Sequence, residues 1–208
     1  MSTKGADVSA GSMDLTDFEL VGYTSGLSAG LAEALADLDD TELMTVARGG
    51  YAAVPVGRAH PDATVVEHRM ATAEGVAILD VRLPPGLAPL RHPGNRPEVV
   101  GLRLAAVRIG VARRLLDQAL AAPGDPTPVP PCCLTVRADI LSALGSLRRD
   151  LTGMAGHPSR KTIVDVHTHL THLGRRVAML VASDGRHTDH PARALFIAEL
   201  VADTWVGV

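Results

Sequence analysis

From Val99 to the end of the chain, apolar residues recur at intervals of three and four, and only a helix gathers such positions onto one face. Leu102, Ala106, Ile109, Ala112, Leu116 and Ala119 form one such stripe, with Arg103, Arg114 and Asp117 off it. Ile140, Leu144, Leu147 and Leu151 form a second, and Ile163, Val166, Leu170, Leu173, Val177 and Leu180 a third. Leu195, Leu200, Val201 and Trp205 mark a fourth. Four amphipathic helices joined by short or extended connections are expected to pack as a bundle. Aromatic residues make up 2% of the 208 residues while apolar residues make up 46%, so Ala, Val and Leu must fill the core and the helices must approach closely.

The first half reads differently. Residues 1–13, rich in Ser, Gly and Ala, are expected to form a disordered tail. Leu27, Leu31, Leu35 and Leu38 predict one short helix over 27–38. Between Glu42 and Leu83 the apolar runs shorten to 43–47, 51–56, 64–68 and 76–83, separated by Gly49-Gly50, His60-Pro61-Asp62 and Ala73-Glu74-Gly75. That spacing, with Val76, Ile78 and Val81 as β-formers, predicts a small antiparallel segment. Pro84, Pro85, Pro89, Pro93 and Pro97 interrupt the chain ahead of the helical half. The expected fold class is α+β and mainly α, a small antiparallel β segment followed by a four-helix bundle. Its divisions are a tail at 1–13, a short helix and partial β domain at 14–90, and the bundle at 91–208.

The net charge of −3 and the lack of any Lys/Arg block longer than two argue against nucleic acid as a partner. No apolar run approaches the length of a membrane span, and residues 1–13 lack the apolar core of a secretion signal. Cys132 and Cys133 are neighbours, a poor arrangement for a loop-closing disulfide. A cytoplasmic protein is expected, with the two cysteines as small buried residues at a helix start. Gly49-Gly50 has no helix after it and reads as a hairpin turn rather than a phosphate loop.

Histidines dominate residues 164–170, Val-Asp-Val-His-Thr-His-Leu. The run looks like the metal-binding strand of amidohydrolase-type barrels, but the 38 residues after Leu170 cannot supply the rest of such a barrel. On a helix Asp165, His169, His172 and Arg176 fall at i, i+4, i+7 and i+11. They form one polar stripe opposite the core, read as a solvated or interface face. Two His at i, i+3 could hold zinc only if another helix completed the set, and no metal ligand is assigned. Thr188-Asp189 with Pro191 also reads as a helix start, Asp189 capping and Pro191 early in the helix.

Two segments resemble the acyl-CoA dehydrogenases. Residues 97–120, Pro-Glu-Val-Val-Gly-Leu-Arg-Leu-Ala-Ala-Val-Arg-Ile-Gly-Val-Ala-Arg-Arg-Leu-Leu-Asp-Gln-Ala-Leu, look like the first long helix of that family's C-terminal domain. Residues 182–191, Ala-Ser-Asp-Gly-Arg-His-Thr-Asp-His-Pro, are similar to its Gly-Gly-x-Gly-Tyr-x-x-Glu-Tyr-Pro turn, with Gly185 and Pro191 matching and Asp189 in the glutamate slot. Residues 42–85 look like the latter part of its β domain, with a Val-x-Leu-Pro exit at 81–84.

The resemblance implies a truncated acyl-CoA dehydrogenase-like subunit acting on an acyl thioester, whose α-proton Asp189 removes. The family's N-terminal helical domain has no room in the 41 residues ahead of Glu42, and its Arg-x-Gln-Phe-Gly segment is replaced by the five-proline stretch 121–131. FAD is therefore implied only with a partner, a fuller homologue or a second copy, while Ser183 and Gly185 would line the cofactor side of the turn. The same turn admits a flavin-free lyase, isomerase or cyclase using Asp189 with His187 or His190 as acid and base. It also admits a non-catalytic stabilising subunit in which Asp189 only caps a helix. The acyl group and its carrier, CoA or a carrier protein, stay open.

Overall fold

The computed structural model describes, side chains included, residues 14–36, 98–118, 131–181, 193–202 and 206. Five helices carry them: α1 (Leu15–Ala34), α2 (Arg96–Leu120), α3 (Pro131–Met154), α4 (Arg160–Val181) and α5 (Ala192–Val206). The expected stripes become the core. Ile140, Leu144, Leu147 and Leu151 of α3 are buried, as are Ile163, Val166, Leu170, Leu173 and Val177 of α4, with Leu195 and Val201 of α5 beside them. Of the outermost stripe positions, Leu180 is half-buried.

Helix α2 departs from the single-stripe pattern. Val100, Leu104, Ala105, Val107, Val111 and Leu115 are buried along with Leu102, Ala106, Ile109, Ala112 and Leu116, so almost its whole circumference is enclosed. The cause is position: α2 is the central helix and packs against each of the other four. A helix with apolar residues around most of its circumference suits that place.

The helix expected over 27–38 starts earlier, at Leu15, and belongs with the bundle, which among the described residues has five helices rather than four. Asp14 precedes it, and its backbone N–H donates to Asp17 Oδ2 at 3.1 Å. The face of the first half is Phe18, Glu19 and Gly22, a pattern with no leucine stripe to announce it. Gly26, at φ 87°, bends the helix in the left-handed region that glycine enters without steric penalty. Beyond the bend Leu27, Leu31 and Leu35 are buried as their spacing predicts.

Close backbone approach joins α1 to α2. A Cβ on Gly22 would meet the Val107 carbonyl oxygen at 2.5 Å, and one on Gly110 would collide with the Glu19 carbonyl oxygen. The two helices therefore touch backbone to backbone, the contact a core poor in aromatics requires. Polar links reinforce the crossing. Buried Glu19 accepts from Arg113 of α2 and pairs with Arg148 Nε of α3 at 3.2 Å. Asp117 accepts from the Tyr23 hydroxyl at 3.0 Å and from Arg137 at 2.6 Å. That carboxylate, through its hydrogen bond and then its charge, pushes the Tyr23 phenol pKa up.

The expected tail at 1–13, the β segment between Glu42 and Leu83 and most of the proline stretch 121–131 lie outside the residues described with their side chains. Among the described residues no helix is long and apolar enough to cross a membrane.

Candidate functional site

Asp165, His169, His172 and Arg176 are all exposed on α4, as the helical reading of the histidine run predicts. The His169 Nδ1–H donates to the Asp165 carbonyl oxygen at 2.9 Å, one turn back on the same helix. Among the described residues no three His, Cys, Asp or Glu side chains converge. The cysteines require a correction. Both are free thiols in the first turn of α3, but Cys132 is exposed and Cys133 only half-buried. Their turn lies outside the packed zone, since burial on α3 begins at Ile140.

The first histidine of the run behaves differently. His167 is wholly buried, between Ile163 and Leu170 on the apolar face of α4. Its ring is fixed at both nitrogens. The Gly101 carbonyl of α2, which can only accept, lies 2.9 Å from Nε2, so Nε2 carries the proton. Nδ1 is then an acceptor and takes an N–H of Arg108 at 2.9 Å. Burial first, and the Arg108 charge second, hold the imidazole pKa down to about 3, while the bond to Gly101 pulls weakly the other way.

Arg108 projects from central α2 into the α4 side of the bundle and is 6% exposed. Besides His167 Nδ1, its guanidinium donates to the His167 carbonyl oxygen at 3.4 Å and to Thr171 Oγ1 at 2.9 Å. Each of these three acceptors is a neutral group. Arg108 and Thr171 reach the wall of a cleft of about 230 Å³ enclosed by α2, α4 and α5. Ala112, Leu170 and Leu195 give it an apolar interior, and Arg175 and Glu199, paired at 2.9 Å, stand on its rim.

Comparison of the chain with protein-family models, with curated proteins and with solved structures yields no match. Function must therefore be argued from the cleft and the sequence.

The residues singled out in the sequence on the turn, Ser183, Gly185, His187, Asp189 and His190, lie in 182–191, outside the described residues. The helices on either side of that connection are described: Ala178 and Leu195, both lining the cleft, stand three residues inside the ends of α4 and α5. Sequence reasoning missed the buried pair Arg108 and His167 and the half-buried Thr171 beside them. A signal existed for two of them. His167 is four residues after Ile163 and three before Leu170, and Arg108 is four after Leu104 and four before Ala112, so each occupies an apolar stripe.

Proposed function

We propose that the chain is an acyl-CoA dehydrogenase-like subunit acting on an acyl thioester, with Asp189 as the base for the α-proton and a partner subunit contributing the flavin site. The observation that carries this reading is the position of the cleft: its lining begins within one helical turn of both ends of the 182–191 connection. A thioester held at that connection can lower its acyl chain between α4 and α5. A carboxylate serves as such a base when desolvation raises its proton affinity, which the mouth of an apolar cleft favours.

The described residues do not fit a flavin. About 230 Å³ is less than the roughly 300–1,000 Å³ of pockets that enclose larger ligands, so this chain's own chemistry ends at binding the acyl group and taking its proton. Met179, 79% exposed, and Phe196, 55% exposed, stand on α4 and α5 toward the connection and suit coverage by a partner subunit. The antiparallel backbone pairing of Tyr51–Pro55 with Val76–Arg82 supports reading 42–85 as a remnant of the family's β domain, ahead of a bundle of its C-terminal type.

The experiment is a search of the neighbouring genes for a fuller homologue, followed by co-purification with any that is found. The complex is expected to carry visible flavin absorbance that the lone chain lacks, and to dehydrogenate an acyl thioester. In that complex Asp189→Asn should lower kcat by about 10²–10⁴-fold, the usual contribution of a positioned base. A fully active D189N complex removes this subunit from proton abstraction.

A further inference from the structure

We infer that Cys132 and Cys133 form a reactive vicinal dithiol, in which Cys132 exchanges with a low-molecular-weight disulfide and Cys133 resolves the product by closing a bond between the two neighbours. Placement gives the first argument. Both thiols are free in the first turn of α3, Cys132 exposed and Cys133 half-buried. Residues 131–139 hold no buried side chain, and the packed zone of α3 starts at Ile140. Free cysteine is among the most buried residue types, so packing does not account for a pair that stands outside the core and open to reagents.

The second argument is the asymmetry of the two sulfurs. Partial burial first, then a hydrogen bond to the Cys132 side chain and the Cys132 charge, push the Cys133 thiol pKa up. Cys132 therefore offers the accessible sulfur that attack on a disulfide requires, while Cys133 keeps its proton. Once Cys132 is capped it carries no charge and no free thiol, and two of the causes that hold the Cys133 proton are removed. The positive end of α3 then favours the Cys133 thiolate. An exposed cysteine beside a resolving one is the arrangement that reversible thiol oxidation uses.

The chemistry closes in two exchanges. The Cys132 thiolate bonds to one sulfur of the external disulfide and displaces the other as a thiolate. The Cys133 thiolate then attacks the Cys132 sulfur, the bond to the reagent breaks, and the second reagent thiolate leaves. Two cysteine thiols are oxidised to one disulfide, one external disulfide is reduced to two thiols, and the two cysteine protons pass to the departing thiolates. Consecutive Cα atoms are about 3.8 Å apart, short of the roughly 4.4 Å that disulfides usually need. The closed ring is strained, so it is readily reduced, the behaviour of a regulatory rather than a structural bond. Neither the cleft nor the thioester reading enters this inference.

The probe is bis(2-hydroxyethyl) disulfide, added to the reduced full chain, with the intact mass read after acid quenching at successive times. Wild type should pass through a transient single adduct and end as a monomer lighter by two hydrogens. The chain has two cysteines, so that mass assigns the bond to Cys132 and Cys133. A monothiol reductant should restore the starting mass. Cys133→Ser should stop at the single adduct, and Cys132→Ser should react at least about threefold more slowly, its remaining sulfur being half-buried. Both substitutions fall outside the packed zone, so both variants should fold. A wild type that ends carrying two reagent thiols, equal rates for the two single-cysteine variants, or a disulfide between two chains overturns the inference.

Discussion

His167 shows how a polar residue can sit at the centre of an apolar bundle. Unfolded, its imidazole takes a proton near pH 6.5, whereas in the fold it stays neutral down to about 3. Between those values the unfolded state binds more protons, so stability is fully present above 6.5 and falls as the pH drops, at up to about 1.4 kcal/mol per pH unit. Glutamine can reproduce both bonds, its oxygen accepting from Arg108 and its amide donating to Gly101, but cannot titrate. Urea unfolding is therefore expected to show wild type losing about 2 kcal/mol more than His167→Gln between pH 6.5 and about pH 5. Parallel pH profiles would show that the ring is not held neutral. The sequence placed this residue in a run of histidines that looked like ligands. Its helical phase is what separates it from His169 and His172, and the phase is legible once the period is.

At the scale of elements, glycine has opposite meanings on different helices. Gly110 faces the Glu19 backbone across the α1–α2 crossing, whereas a Cβ at Gly174 meets nothing closer than Leu195 Cβ. Gly174→Ala is expected to stabilise the protein by about 0.5–1 kcal/mol, the helix preference of alanine over glycine. Gly110→Ala, the same change, is expected to destabilise it by about 1–3 kcal/mol, because overpacking outweighs that preference. Thermal unfolding of the two variants tests the sign of each. The α3 and α4 periods could be read directly because Leu, Ile and Val carry their buried faces. The first half of α1 could not, since a helix whose buried face is Phe18, Glu19 and Gly22 has no apolar period to detect.

For the whole molecule the consequence of the central helix is that no shorter bundle is self-sufficient. The proline-rich stretch ahead of α2 suggests a boundary near residue 91, yet α1 covers the Val107 and Gly110 face of α2. A fragment of residues 91–208 would expose that strip and lose Phe18, Leu27 and Leu31 from the core. Its circular dichroism melt is expected to lack the cooperative transition of the full chain. A fragment melting like the full chain would show α1 to be an accessory. The candidate turn is a different case: its residues were chosen from the sequence by resemblance, and the described residues contribute only the cleft beneath its two ends.

Helix number and phase in the second half follow from the sequence alone, because spacing of apolar residues is a local property that any one segment carries within itself. Which helix sits at the centre, why Glu19 and Arg108 are enclosed, and where a cleft opens were decided by the tertiary structure. Each depends on partners far apart in the chain, Glu19 with Arg148, Arg108 with His167 and Thr171, Gly22 with Val107. The burial of a charge or a glycine is a property of the pair rather than of either residue, and no single segment contains it.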